Sequence, residues 1–524
     1  MDLDEAFGHT FRAMLGKTDC ALKIDDFRDY FLEYMLPYSI GKSAVSGKEV
    51  TIVSEEYCKG AKFISQDEIK EVPFEPLSIN EIKDIDSILE AIEGRMHYSG
   101  NKILGNSDFA KNVDLCIDSF YVRDSHNIQQ SKYIAYGWMI RDNSEFVFGA
   151  GGMGEGKQVI RCIAAFNITR CFESYYMVDT SDAYFSYNCT GCSNIMFSFN
   201  QRGNRYLIGN TPLQKDKYLG LKNKLLGEVR EKLLCDKQFP SLFSIPVNPE
   251  IELPAINAKE RTGEQNMGKM ERDFSMTTKI LFGKELGPIR KFDQWLSGHS
   301  LELKERKTPF GRITYSISLF PFMRDVSEGR FVTDDEAIEL ARISFDPGPI
   351  DGASMEKAFS LASKIAYYSP EIYTGKSQNI IETPIAVNSS DIYRIGDSTN
   401  SRHSGVSGAV LNSEYVFGSN RAIHSRFCIN CYHSLDLTNC FEMDSCSHSR
   451  DSMFCHNCEN LQECMFCFNT KSKRYAIGNV EVGKDAYLAM KARILGQILR
   501  ELEKTGGLKH DIYNIGCIRA KVSE

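Results

Sequence analysis

Cysteine is the residue type in this chain best equipped for chemistry, and eight of its seventeen cysteines stand between Cys428 and Cys467. Three CxxC pairs fall in that stretch. Two such pairs can supply four thiolates to a tetrahedral zinc or anchor an iron–sulfur cluster. Cys455, Cys458, Cys464 and Cys467 make the best quartet, with His456 between the first two. Their spacing is short for a zinc ribbon, whose ligand pairs lie roughly 12–20 residues apart.

The chain supplies its own control. "NQRGNRYLIGNTPLQKDKYL" begins at Asn200 and "NTKSKRYAIGNVEVGKDAYL" at Asn469, with half of the aligned positions identical. The register holds upstream, where Cys171-Phe172-Glu173 lies on Cys440-Phe441-Glu442. In that register Cys428, Cys446, Cys455, Cys464 and Cys467 fall on Val159, Met177, Ser186, Ile195 and Ser198. Small and apolar residues replace the thiols, as expected of a core slot in which free Cys packs as a small hydrophobe. Packing is therefore the leading reading, a zinc or iron–sulfur site confined to the second copy is the alternative, and redox chemistry is third.

Other chemistry-bearing residues are weaker. Gly149, Gly151 and Gly154 satisfy G-x-G-x-x-G, and Lys157 nearly completes a P-loop. Gln158 stands where a P-loop needs Ser or Thr, and a strand-like stretch follows in place of a helix, so a turn is expected. Glu173, Asp179 and Asp182, with Glu442, Asp444, His448 and Asp451, could line a sugar-cleaving or acyl-transferring face, but they read as solvated turn residues because spacing locates no acid–base pair. Arg205, Tyr206 and Asn210 recur as Arg474, Tyr475 and Asn479 and are assigned to a structural junction.

The elements that position these residues follow from periodicity. Aromatic residues recur at Tyr415, Phe427, Phe441, Phe454 and Phe466, separated by Asn- and Ser-rich turns, the pattern of stacked strands in a β-solenoid. After each run an amphipathic helix is expected to cover the open end of the stack, with Tyr487, Met490, Ile494, Ile498 and Leu502 on its apolar face and Gly506 and Gly507 as its stop. The predicted fold is α+β, a tandem duplication in which each copy is a mainly helical N-terminal element, a short β-solenoid (β-helix) and a C-terminal amphipathic capping helix. Residues 1–98, 99–212 and 213–236 form the first copy, and 277–367, 368–481 and 482–524 the second. A Pro-rich strap and linker spans 237–276. Ser78 and Glu81 read as a capping box that opens a helix in the first element.

The CxxC coils closing in "SKRYAIGNVEVGKDAYLAMKARI" resemble uncharacterised cysteine-rich β-solenoid proteins of small-genome bacteria and archaea. That resemblance implies a fold and no activity.

With 42% hydrophobic and 25% charged residues over 524 positions, the composition is that of a multidomain globular protein. A net charge of -8 and the lack of a Lys/Arg run give no support to nucleic-acid binding. The acidic amino end and the absence of an ~18-residue apolar run place the chain in the cytoplasm with its thiols reduced and no membrane association. The expected function is a non-enzymatic scaffold or assembly component holding protein partners, ahead of a metal-binding protein and of a carbohydrate-active or acyltransferase β-helix enzyme.

Overall fold

The computed structural model describes residues 1–54, 56–71, 82–245, 253–257, 265–300, 302–348 and 354–517. Helices and strands mix, so the fold is α+β, and two large sheets dominate it, one between Ile103 and Pro212 and one between Ile372 and Glu481.

Both sheets are built mostly of short parallel strands whose register advances by twelve residues. Lys157 pairs with Thr169, Thr169 with Ser181 and Ser181 with Ser193, while Ile163, Tyr175 and Tyr187 pair along a second column. A chain returns on itself this quickly only by turning repeatedly. Accordingly φ is positive at every third residue, for example Arg161, Ala164, Asn167, Arg170 and Glu173. Non-glycine residues are crowded in that conformation, and here ladder hydrogen bonds and burial offset the cost. The offset is thirteen for Glu145 against Lys132 and Gly151 against Trp138, pairs that span the consecutive left-handed residues Asp142 and Asn143.

The residue after each left-handed one points inward. In the first sheet Val159, Cys162, Ala165, Ile168 and Cys171 form a narrow core, and Cys428, Cys431, Leu437, Cys440 and Met443 do so in the second. Outward apolar residues are covered by helices. Leu3–Leu15, started by a capping box between Asp2 and Glu5, sets Phe7 against Phe148 of the first sheet. Met267–Phe282 sets Phe274 against Phe417 of the second. That helix begins inside the stretch expected to be linker. Ser78 and Glu81 lie outside the described residues; the nearby helix Ile85–Ile92 is capped by Asp84 with Ser87.

The helix Lys484–Thr505 buries the five residues expected and stops at Gly506, whose φ is +75. It does more than cover an end. Tyr487 packs on Tyr475 of the last parallel strand, but Lys491 reaches back to Glu463 and to the Asp451 carbonyl, so the helix runs along the sheet. The last parallel strands are instead closed by short antiparallel returns, Thr211–Pro212 and Val480–Glu481. That topology satisfies edge groups that a helix could not pair with.

Each sheet also carries a segment from the other half of the chain. Ile85, Ile88, Met96 and Tyr98 share a hydrophobic core with the second sheet, whereas Phe320, Phe322, Phe331 and Tyr368 share one with the first. The loop around Cys58 also meets the segment around Cys517. Cys58 is disulfide-bonded to Cys517 with a Cα separation of 6.2 Å, beside a bridge between Ala61 and Cys517. Tertiary folding there joins two cysteines whose positions in the chain give no hint of proximity. No described helix is long and apolar enough to cross a membrane.

Candidate functional site

The outer columns of the two sheets hold two matched grooves, each filled by a short extended segment of the other half. On the second sheet the Asn469 amide donates to the His97 carbonyl at 2.7 Å, and the Ser99 N–H donates to His456 Nε2 at 2.8 Å. On the first, Asn200 donates to the Tyr367 carbonyl at 3.2 Å and the Tyr187 hydroxyl to the Ser369 carbonyl at 2.8 Å. Between these contacts Tyr98 stands edge-on to Phe468, and Tyr368 edge-on to Phe199, both at 5.8 Å. Both tyrosine hydroxyls donate to buried carbonyls, of Ile512 and Leu242. Neighbouring coils brace the asparagines, since Asn188 donates to Asn200 and Asn457 to Asn469, each at 2.9 Å. Sequence reasoning missed these grooves, although the dipeptides Tyr98-Ser99 and Tyr368-Ser369 precede the sheets at matching places.

Three of the acidic candidates, Glu173, Glu442 and Asp444, are buried and not solvated. His456 Nδ1 lies 2.8 Å from Asp444, which also accepts from Tyr57 at 2.6 Å. With Nε2 accepting from Ser99, the hydrogen bonds assign a neutral imidazole donating to a carboxylate. Burial pushes the His456 pKa down, and bonding to His456 holds Asp444 well below the usual carboxylate range despite its own burial. Neither nitrogen is left to act as a base.

Glu173 and Glu442 occupy the same place in their sheets and are both fully buried. Glu173 accepts from Tyr30 and Tyr175 and pairs with Arg161 at 3.1 Å, whose guanidinium also meets Glu33 and stacks 4.2 Å over Tyr30. Glu442 has Asn430 where Glu173 has Arg161, and accepts from the Asn430 amide at 2.8 Å and the Ile512 N–H at 2.9 Å. Burial, then Asp511, pushes Glu442 up to about 8. Burial raises Glu173 too, while Arg161 and the tyrosines pull against it. The remaining acids are surface braces: Asp182 with Arg170, Asp451 with Asn439, Asp179 with Asn167 and His448 with Asp436.

The thiols of Cys455, Cys458, Cys464 and Cys467 are buried and donate to the carbonyls of Met453, His456, Gln462 and Met465. In the first sheet Ser186 and Ser198 donate to the equivalent carbonyls, of Tyr184 and Met196. Thiol and hydroxyl thus fill one small inward slot with one bond. Cys467 lies beside both Cys455 and Cys464, whereas Cys458 lies beside Cys446. Among the described residues no group of three or more His, Cys, Asp or Glu is arranged to hold a metal ion.

Asn210 and Asn479 have a defined task at the junction. Their side-chain oxygens accept the N–H of Phe199 (2.8 Å) and Phe468 (2.9 Å), eleven residues back, where the next coil's carbonyl would stand. Asn210 also donates to the Ile343 carbonyl. Tyr206 and Tyr475 pack on Tyr218 and Tyr487 of the following helices, while Arg205 and Arg474 are exposed and Arg474 stacks on Tyr475. At the glycine-rich stretch a Cβ on Gly149 would meet Phe31 at 2.3 Å, and one on Gly151 would meet Trp138 at 2.0 Å. Close packing accounts for those glycines, and the strand Lys157–Ile160 follows them. Compared with known families, curated proteins and solved structures, the chain matches none.

Proposed function

We propose that the chain is a tandem duplication of one unit, each a twelve-residue-coil β-solenoid with helical elements, and that it serves as a non-enzymatic scaffold holding protein partners. The reciprocal filling of the two grooves carries this reading. A coil face that already fixes a foreign backbone segment through paired asparagines and a buried aromatic is a surface built for extended polypeptide, and regular stacking keeps it rigid. The buried acids and His456 are occupied in holding the chain's own elements, which supports binding over turnover. At the free end of the first sheet Phe109, 62% exposed and stacked on Tyr121 at 4.6 Å, heads an outer column whose farther member Phe146 lies against His9 of Leu3–Leu15, and its exposed ring is the surface offered to a partner.

A tagged chain purified from the organism that encodes it, and weighed by native mass spectrometry, tests the reading. The expectation is a stoichiometric complex with a second polypeptide, lost in Phe109→Asp while the fold is kept. A 59.3 kDa species alone, in every preparation, would contradict it.

A second reading, zinc or an iron–sulfur cluster on the second-half cysteines, rests on the contacts of Cys467 with Cys455 and Cys464. Elemental analysis of anaerobically purified protein separates the two. Stoichiometric metal that disappears in Cys455→Ser would favour the cluster.

A further inference from the structure

A cavity of about 170 Å³ lies away from both grooves, walled by residues of the two large sheets, of the first N-terminal element and, through Leu319, of the second. His126 is only 1% exposed, yet its Nε2 faces this space without a hydrogen-bond partner, and His433 Nδ1 is likewise unpartnered. Arg421 reaches in from the second sheet, and among the described residues its guanidinium bonds only the amide oxygen of Asn127. By contrast the fully buried Lys102 and Arg161 are matched, by Asp114 and Glu173, whereas Arg421 is half-buried. Among the described residues the one acid in the walls, Glu56, is engaged by His299. A cation with no counter-ion among the described residues and two imidazoles with free ring nitrogens therefore converge on a hole.

Leu36, Met139 and Leu319 supply an apolar part of the wall, and Ser54 and Asn420 add uncharged polar groups to it. Burial holds His126 down to about 3, with His433 and Arg421 adding to the effect. His433 is held to about 4 by burial and by Arg421 and Lys102, against the pull of Asp444 and Asp114. Both rings are thus neutral at physiological pH and the site carries one unmatched positive charge, which suits a singly charged ligand better than a phosphate.

We propose that this cavity binds a small monocarboxylate, its oxygens on Arg421, His126 and His433 and its short hydrocarbon tail against Leu36, Met139 and Leu319. The ligand would bridge the two halves at a point that neither sheet forms alone.

Isothermal titration of the full-length chain with butyrate at pH 7, with inorganic phosphate in parallel, tests the assignment. The expected result is one saturable butyrate site per chain, phosphate at least tenfold weaker, and butyrate affinity reduced at least tenfold in Arg421→Gln. Histidine side-chain NMR of the unmutated chain gives a readout independent of any variant, and butyrate should shift the ring signals of His126 and His433 and leave that of exposed His448 in place. No saturable heat with either ligand would overturn the proposal, as would phosphate binding the tighter, or butyrate binding with the two rings unmoved.

Discussion

Glu173 and Glu442 stand at the same point of two similarly built sheets, both without solvent, and their chemistry differs because of one neighbour. Arg161 turns the first into an ion pair buttressed by two tyrosines, whereas Asn430 leaves the second a carboxyl group that holds its proton to about 8. The lesson is that the strand register sets where a side chain goes, and the residue twelve positions away sets what it becomes. The same holds for the inward slots, where Ser186 and Cys455 make one bond with different atoms.

Breaking that comparison should give effects of opposite sign from one substitution. Glu173→Gln removes the main counter-charge of Arg161, which is 1% exposed, and leaves it only the partly exposed Glu33. A loss of about 3 kcal/mol in equilibrium urea unfolding at pH 7 is expected. Glu442→Gln removes a group whose ionisation opposes folding. Between the unfolded carboxyl value near 4.5 and about 8 the folded state holds a proton that the unfolded state has released, so stability falls as pH rises through that window. Glu442→Gln should therefore lose that slope and gain on the order of 1 kcal/mol at pH 8, read from unfolding curves taken between pH 5 and 9.

Smaller effects sharpen the match between the grooves. Asn200→Ala and Asn469→Ala each remove one bond to a carbonyl of the other half and should cost about 1 kcal/mol apiece. Hydrogen exchange should quicken at Ser369 and Ser99 respectively, and not at both. Cys455→Ser should change stability by less than about 0.5 kcal/mol in the same unfolding assay, because a hydroxyl already fills the equivalent slot at Ser186. Cys455→Leu overpacks the slot and should cost about 1–3 kcal/mol.

The cysteine slots were legible in the sequence because the internal match placed Ser186 and Ser198 beside Cys455 and Cys467. The helix Lys484–Thr505 was legible from its three- and four-residue apolar spacing. The three-residue inward period was not, since Ser, Cys, Val and Met alternate there and no hydrophobic template has that period. The burial of Glu173, Glu442 and Asp444 was hidden because it is produced by Tyr30, Ile512 and Tyr57, which are distant in the chain. The grooves were hidden for the same reason. Tyr98 and Tyr368 sit next in sequence to one sheet and pack on the other, and only tertiary structure decides between the two. Cys58 and Cys517, 459 residues apart, are the extreme case.

The most direct test of the reciprocal arrangement is to place a specific protease site among residues 258–264 of the full chain, cleave after folding, and follow the two fragments by size-exclusion chromatography. Co-elution at the mass of the whole chain under reducing conditions, with separation only in denaturant, is the expected result. Two fragments that separate in native buffer and each stay folded would contradict it.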